Sequence, residues 1–343
     1  MNPSLPFAAV ASWLAAAAIF GLAPPPAAAQ EKPPITFDLP IDCTPGEDCW
    51  VANYVDDDPT SGAADFNCGP RTYDGHKGVD IAIRDMSLLE AGVPVLAAAP
   101  GKVVGYRDGM DDIDYKRADP AKLKDHECGN RIGIQHGGGW LTQYCHMRKD
   151  SVTVRDGDTV RAGQVIGLVG LSGKTEFPHV HFMVVQGRTI VDPFRGVGAH
   201  PKCGMGEAPL WSESALKKMA YEPAALYNAG FFGGIINANA IRAGIQGHTE
   251  ISRYSPLLTL WVDMMGARAG DVLTFKIRDP DGKTMLDKPI NLTKTQARIF
   301  RRLTLKKNSG VWKDGVYLGT IELARKVPGE PVSLKVERTV RLR

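Results

Sequence analysis

The run Gly75-His76-Lys77-Gly78-Val79-Asp80-Ile81-Ala82-Ile83 decides the fold class. A His and an Asp four residues apart would meet on one face of a helix. Here Gly78 and the alternating Val-Asp-Ile-Ala-Ile argue for an extended chain instead. His76 and Asp80 differ by an even number of positions, so on a strand both side chains project to one side. The same holds at Pro178-His179-Val180-His181-Phe182, where His179 and His181 share a strand face. Between these two elements comes Tyr144-Cys145-His146-Met147. Three strand-borne elements thus direct imidazoles and one carboxylate toward a common point.

Outward from this stretch, short strands with glycine punctuation succeed one another. They are predicted at 79–83, 94–98, 102–106, 132–135, 141–145, 152–154, 165–169 and 180–185, which reads as a compact all-β unit over 73–200. A charged insertion at 107–127 interrupts it, with one helical turn near 120–124. Residues 201–247 read as a connecting region with helix-like spacing at 213–221. Strands return at 257–262, 272–277, 298–305, 316–323 and 332–342, and Asp279-Pro280-Asp281-Gly282 is a strong turn signal. This alternation predicts a C-terminal β-sandwich over 248–343.

The N-terminal end reads as an export signal. An apolar run over 8–23 precedes Ala27-Ala28-Ala29, small residues suited to signal cleavage, so 1–29 is expected to be a signal peptide and 30–72 a Pro- and Asp-rich arm. The first 30 residues hold no Lys or Arg, which is unusual for such a signal. Six cysteines in an exported chain are expected to form disulfides. A hairpin turning at His136-Gly137-Gly138-Gly139 would set Cys128 nearly opposite Cys145. Cys43, Cys49, Cys68 and Cys203 allow three pairings, and spacing does not choose among them.

A 43% hydrophobic and 23% charged composition excludes a disordered chain. No nucleic-acid partner and no stable membrane insertion are expected. The formal charge of +3 hides an asymmetry. Residues 201–343 carry 23 Lys and Arg against 13 Asp and Glu (+10), and residues 1–200 carry 18 against 25 (−7). Arg298, Arg301 and Arg302, with Lys306 and Lys307 beyond, are the densest basic group. An anionic envelope component is the partner this group is expected to attract.

Two imidazoles and one carboxylate are the ligand set of a catalytic zinc, which keeps a fourth position open for water. His76…Asp80, Tyr144-Cys145-His146 and His179-Val180-His181 stand in the order of the motifs of the lysostaphin-type zinc metallopeptidases. The sequence resembles that family over roughly residues 73–195. Intervening stretches match too: Pro94-Val95-Leu96-Ala97-Ala98-Ala99-Pro100-Gly101, Gly157-Asp158-Thr159-Val160 and Gly170-Leu171-Ser172-Gly173.

The resemblance implies a mainly β fold, the duplicated hybrid motif of a barrel-sandwich hybrid. It implies an exported, periplasmic zinc endopeptidase acting on peptidoglycan peptide stems. Carried over, His76, Asp80 and His181 bind Zn2+, while His146 and His179 assist the water and the tetrahedral intermediate. His136 is expected to be structural. Departures are Phe177-Pro178 in place of the commoner Gly-Pro, Met183 where Glu often follows, the 107–127 insertion, and Cys145 inside the Tyr-x-His element. The rival reading is a non-catalytic regulator of another wall hydrolase on the same fold. It is disfavoured because every ligand position is filled.

Overall fold

The Val79–Ile83 run forms a strand buried at every position, with a neighbour on each side. The computed structural model describes residue 1 and residues 34–307, 309–326 and 331–343. The signal-peptide reading of 1–29 therefore lies outside the described residues. Within them the molecule is mainly β. The first sheet runs in the order Cys49–Asn53, Val79–Ile83, His179–Gln186, Trp140–Met147, Asn130–Gly137, Gly101–Arg107 and Thr159–Val160, with Thr189–Ile190 paired to His179–Gln186. A two-stranded pair, Pro94–Leu96 with Val165–Leu168, contributes Val95 and Ile166 to the same core.

The Asn130–Gly137 to Trp140–Met147 hairpin turns through Gly137, Gly138 and Gly139, with φ of 82°, 55° and 81°. Three consecutive left-handed residues are tolerable only as glycine. Cys128 and Cys145 are joined beside this hairpin, as the sequence predicts. The remaining bridges are Cys43–Cys49 and Cys68–Cys203.

Some segments differ from the sequence reading, two of them in this first sheet and its surroundings. The arm is part of the sheet: Cys49–Asn53 is its edge strand. Cys49 and Val51 pack into the main core, while Trp50 and Ala52 pack into a second cluster with Tyr227 and Met265. A strand buried on both faces shows no polar alternation, which hides it from periodicity. The predicted strand at 152–154 forms no ladder, although Val152 and Val154 are buried.

The C-terminal region contains a three-stranded sheet, Ala225–Phe232, Leu257–Ala267 and Gln296–Lys306. A five-stranded sheet follows the order Glu250–Ile251, Val332–Leu342, Gly315–Arg325, Val272–Arg278 and Thr284–Asn291. Phe231, Leu260 and Val262 of the first share one core with Phe275, Tyr317 and Ile321 of the second. Ala225–Phe232 falls in the stretch read as connecting region. Thr284–Asn291 carries Pro289 and little buried surface, so its sequence lacks a strand signal. Its position at the sheet edge makes the proline tolerable. Among the described residues, no helix is long and apolar enough to cross a membrane.

Candidate metal centre and substrate groove

Strand register assembles the site. Asp80 pairs with His181 across the Val79–Ile83/His179–Gln186 ladder, and His179 pairs with Ala82. On the other flank His181 pairs with Cys145, which places His146 next to it in sequence. His76 enters from the turn before the strand, not from the strand itself as the even spacing predicts, because pairing begins only at Val79. Gly78 makes room for this, because a Cβ there would lie 2.6 Å from Nε2 of His181.

The five residues predicted from sequence converge. Asp80 Oδ1 lies 3.2 Å from His76 Nε2, 2.8 Å from His181 Nδ1 and 3.4 Å from His179 Nε2. His76 Nε2 and His181 Nδ1 are 3.2 Å apart. One ligand atom each from His76, Asp80 and His181 falls within 4.8 Å of the others. The rings of His146 and His179 are 4.6 Å apart, and those of His146 and His181 6.1 Å.

Backbone carbonyls orient the rings. His76 Nδ1 donates to the Tyr54 carbonyl at 2.6 Å, so neutral His76 turns a bare Nε2 lone pair toward Asp80 and His181. His146 Nδ1 is held by the Ser172 carbonyl at 2.7 Å, and His179 Nδ1 by the Phe177 carbonyl at 2.9 Å. Asn53 donates to Asp80 Oδ2 at 2.9 Å, leaving Oδ1 for the imidazoles. His146 has φ of 60°, an uncommon backbone state for a non-glycine residue. Its amide donates to the Cys128 carbonyl at 2.8 Å, beside the Cys128–Cys145 bridge.

The electrostatics follow from this crowding. Burial pushes the Asp80 carboxyl up, but the facing imidazoles, His76 first, outweigh it and hold the group well below the usual carboxylate range. Burial lowers His76, yet Asp80 reverses the effect and raises it. Burial lowers His181, with Asp80 offsetting only part. For His146, burial and then the neighbouring His179 and His181 push the imidazole well below its ordinary value. Two ring lone pairs and a carboxylate oxygen facing one another repel unless a cation stands between them. That donor set fits zinc.

His136 has both ring nitrogens engaged elsewhere, on the Pro100 carbonyl and on Thr142 Oγ1, both at 2.8 Å. Sequence reasoning did not find Asn53 and Tyr54, whose contributions come from an arm without periodicity. It also did not find the groove's outer wall. A groove of about 680 Å³ is lined by Asp80, His146, His179 and His181, but also by Tyr115 of the insertion and by Arg242 and Arg298. Arg298, which the sequence places with Arg301 and Arg302 in one basic group, lies over the Phe177 ring, 5.8 Å from its centroid, and that ring is 4.8 Å from His179.

Comparison with known proteins covers the first unit. Residues 74–193 match Peptidase family M23. The chain is 32% identical over 116 residues to peptidoglycan DD-endopeptidase ShyA of Vibrio cholerae, spanning 34% of this chain and 21% of that one. It is 30% identical over 162 residues to the uncharacterized lipoprotein YgeR of Escherichia coli, spanning 46% and 52%. The catalytic domain of the antimicrobial peptidase lysostaphin from Staphylococcus simulans is 29% identical, with 35% of this chain and 77% of that one covered at a TM-score of 0.26. The chain spans about a fifth to a half of the length of these two curated relatives. This segment resembles the lysostaphin-type M23 zinc metallopeptidases.

Proposed function

We propose that this chain is an exported zinc-dependent endopeptidase that hydrolyses peptide cross-links of peptidoglycan. The observation that carries the reading is the convergence of His76, Asp80 and His181, with His146 and His179 beside them in one groove. His76, Asp80 and His181 would hold the ion. When bound, zinc supplies a Lewis acid that polarises the scissile carbonyl and lowers the pKa of water.

The remaining work belongs to the protein's own side chains. His146 Nδ1 is tied to the Ser172 carbonyl, so the neutral ring keeps its Nε2 lone pair free to accept a proton. His146 and His179 divide two tasks. One takes the proton from the attacking water and returns it to the leaving amine as the carbon–nitrogen bond breaks. The other, once protonated at Nε2, gives that N–H to the oxygen that becomes negative, its Nδ1 N–H being held by a backbone carbonyl.

Three disulfides suit an oxidising compartment such as the periplasm. We read the first unit, 73–200, as a barrel-sandwich hybrid. We read the C-terminal unit, 248–343 extended by Ala225–Phe232, as a β-sandwich, a reading supported by the core its two sheets share. An anionic envelope partner for the C-terminal unit stays within the proposal. Digestion of purified sacculi, with products identified by mass spectrometry, tests the function. New amino termini within the cross-links are expected, and intact sacculi would contradict it.

A further inference from the structure

Asp263 is fully buried on the Leu257–Ala267 strand, beside the groove. Arg242 meets it through two nitrogens, Nε at 2.8 Å and Nη2 at 3.0 Å. Arg298 meets it through Nη2 at 3.1 Å and shares the Tyr227 hydroxyl through Nε. One carboxylate thus serves two guanidiniums, and one positive charge is left over. Each guanidinium has five N–H donors, so each keeps donor capacity after these bonds. Both arginines line the groove that holds the histidines. The acidic Glu176 on the same groove is already matched by Lys116 at 2.7 Å.

Phe177 links the two halves. Its ring meets that of His179 at a tilt, has the Arg298 guanidinium over it, and packs against the cluster that includes Trp50, Tyr227 and Met265. This accounts for the departure from Gly-Pro before the His-x-His element: a glycine there would leave the arginine without its platform. Cation–π contact and the Asp263 bonds together fix the guanidinium one ring away from His179.

Resting on the endopeptidase reading, we propose that Arg298 and Arg242 form a carboxylate-binding position in the groove, supplied by the C-terminal region, which selects peptides with a free carboxylate close to the cleaved bond. Planar guanidiniums held from behind by a buried carboxylate are preorganised for bidentate recognition. The C-terminal region then acts on specificity, apart from any attraction of its outer surface to the envelope.

The test reads binding without turnover. The full chain is stripped of metal by chelation. Fluorescence anisotropy then follows a dye-labelled L-Ala–γ-D-Glu–diaminopimelate–D-Ala peptide with free carboxylates and its fully amidated counterpart. Wild type is expected to favour the free acid by at least about tenfold, the order of a charge-assisted bond. Arg298→Gln and Arg242→Gln should each remove most of that preference, and Arg298→Lys should keep part of it. Asp263 retains one arginine in either variant, so neither leaves it unpaired. Arg301→Gln, on the same strand but outside the groove lining, should leave the preference intact. Equal affinity of wild type for the two peptides would overturn the proposal, as would equal losses in Arg298→Gln and Arg301→Gln. A chain that shows the preference yet leaves sacculi intact would sink the endopeptidase reading alone.

Discussion

Two buried carboxylates keep different company: Asp80 lines the groove, and Asp263 lies behind the arginines that line it. Asp80 faces imidazoles, which can give up their protons and offer lone pairs to an ion. Asp263 faces two guanidiniums and a phenol, none of which gives up its proton near neutral pH. The first arrangement therefore suits a metal, and the second is a fixed positive wall. A third buried pair, Asp271 with Arg325, shows the structural version. There one bidentate guanidinium balances one carboxylate, and the rest of the arginine bonds to the Gly266 and Pro223 carbonyls. What separates a site from a strut is the unmatched donor or acceptor, since burial is common to all three.

The sharpest way to break the comparison is to remove a ligand. His76→Ala, Asp80→Ala and His181→Ala should each abolish sacculus digestion, because a two-ligand site binds the ion poorly. Substantial activity in any one would remove that residue from the metal set. Next in size, His146→Ala and His179→Ala should cost about 10²–10⁴-fold in turnover while metal content is kept. Turnover close to wild type in either variant would make that ring structural.

Stability discriminates between the carboxylates themselves. Asp263→Ala leaves two arginines without their buried partner and should lower unfolding free energy by about 3–5 kcal/mol in urea titrations. Asp80→Ala should cost less in metal-free protein, because the histidines can shed their protons. The reverse order would contradict the contrast drawn here. Smallest, joint replacement of Cys128 and Cys145 by Ser should cost roughly 3 kcal/mol on the chain-entropy account of a bridge this long. The two cysteines are 17 residues apart. A shift confined to stability, with turnover kept, would show that hydrogen bonds to Cys128 and Ser172 suffice to place His146.

The candidate metal cluster was legible in part because strands impose even spacing: residues 179 and 181 share a strand face, and Asp80 lies on a strand, as read from sequence. His76 reaches the same point from the turn before Val79–Ile83, which alternation does not encode. The Cys128–Cys145 bridge was legible for a similar reason, since a glycine hairpin fixes register. The shell around the cluster was not legible. Asn53 and Tyr54 belong to a segment buried on both faces, which gives no alternation to read. Arg242 and Arg298 reach the groove through packing between distant sheets, which no local pattern encodes. Phe177 falls between the cases: its departure from the family pattern was visible, but its meaning required the neighbours Trp50, Tyr227 and Arg298.

The central claim is that His76, Asp80 and His181 hold a catalytic zinc. Elemental analysis of purified, folded wild type and His181→Ala tests it most directly. The account predicts one zinc per chain in wild type and near-complete loss in the variant. Full zinc occupancy in folded His181→Ala, or zinc-free wild type that still digests sacculi, would contradict it.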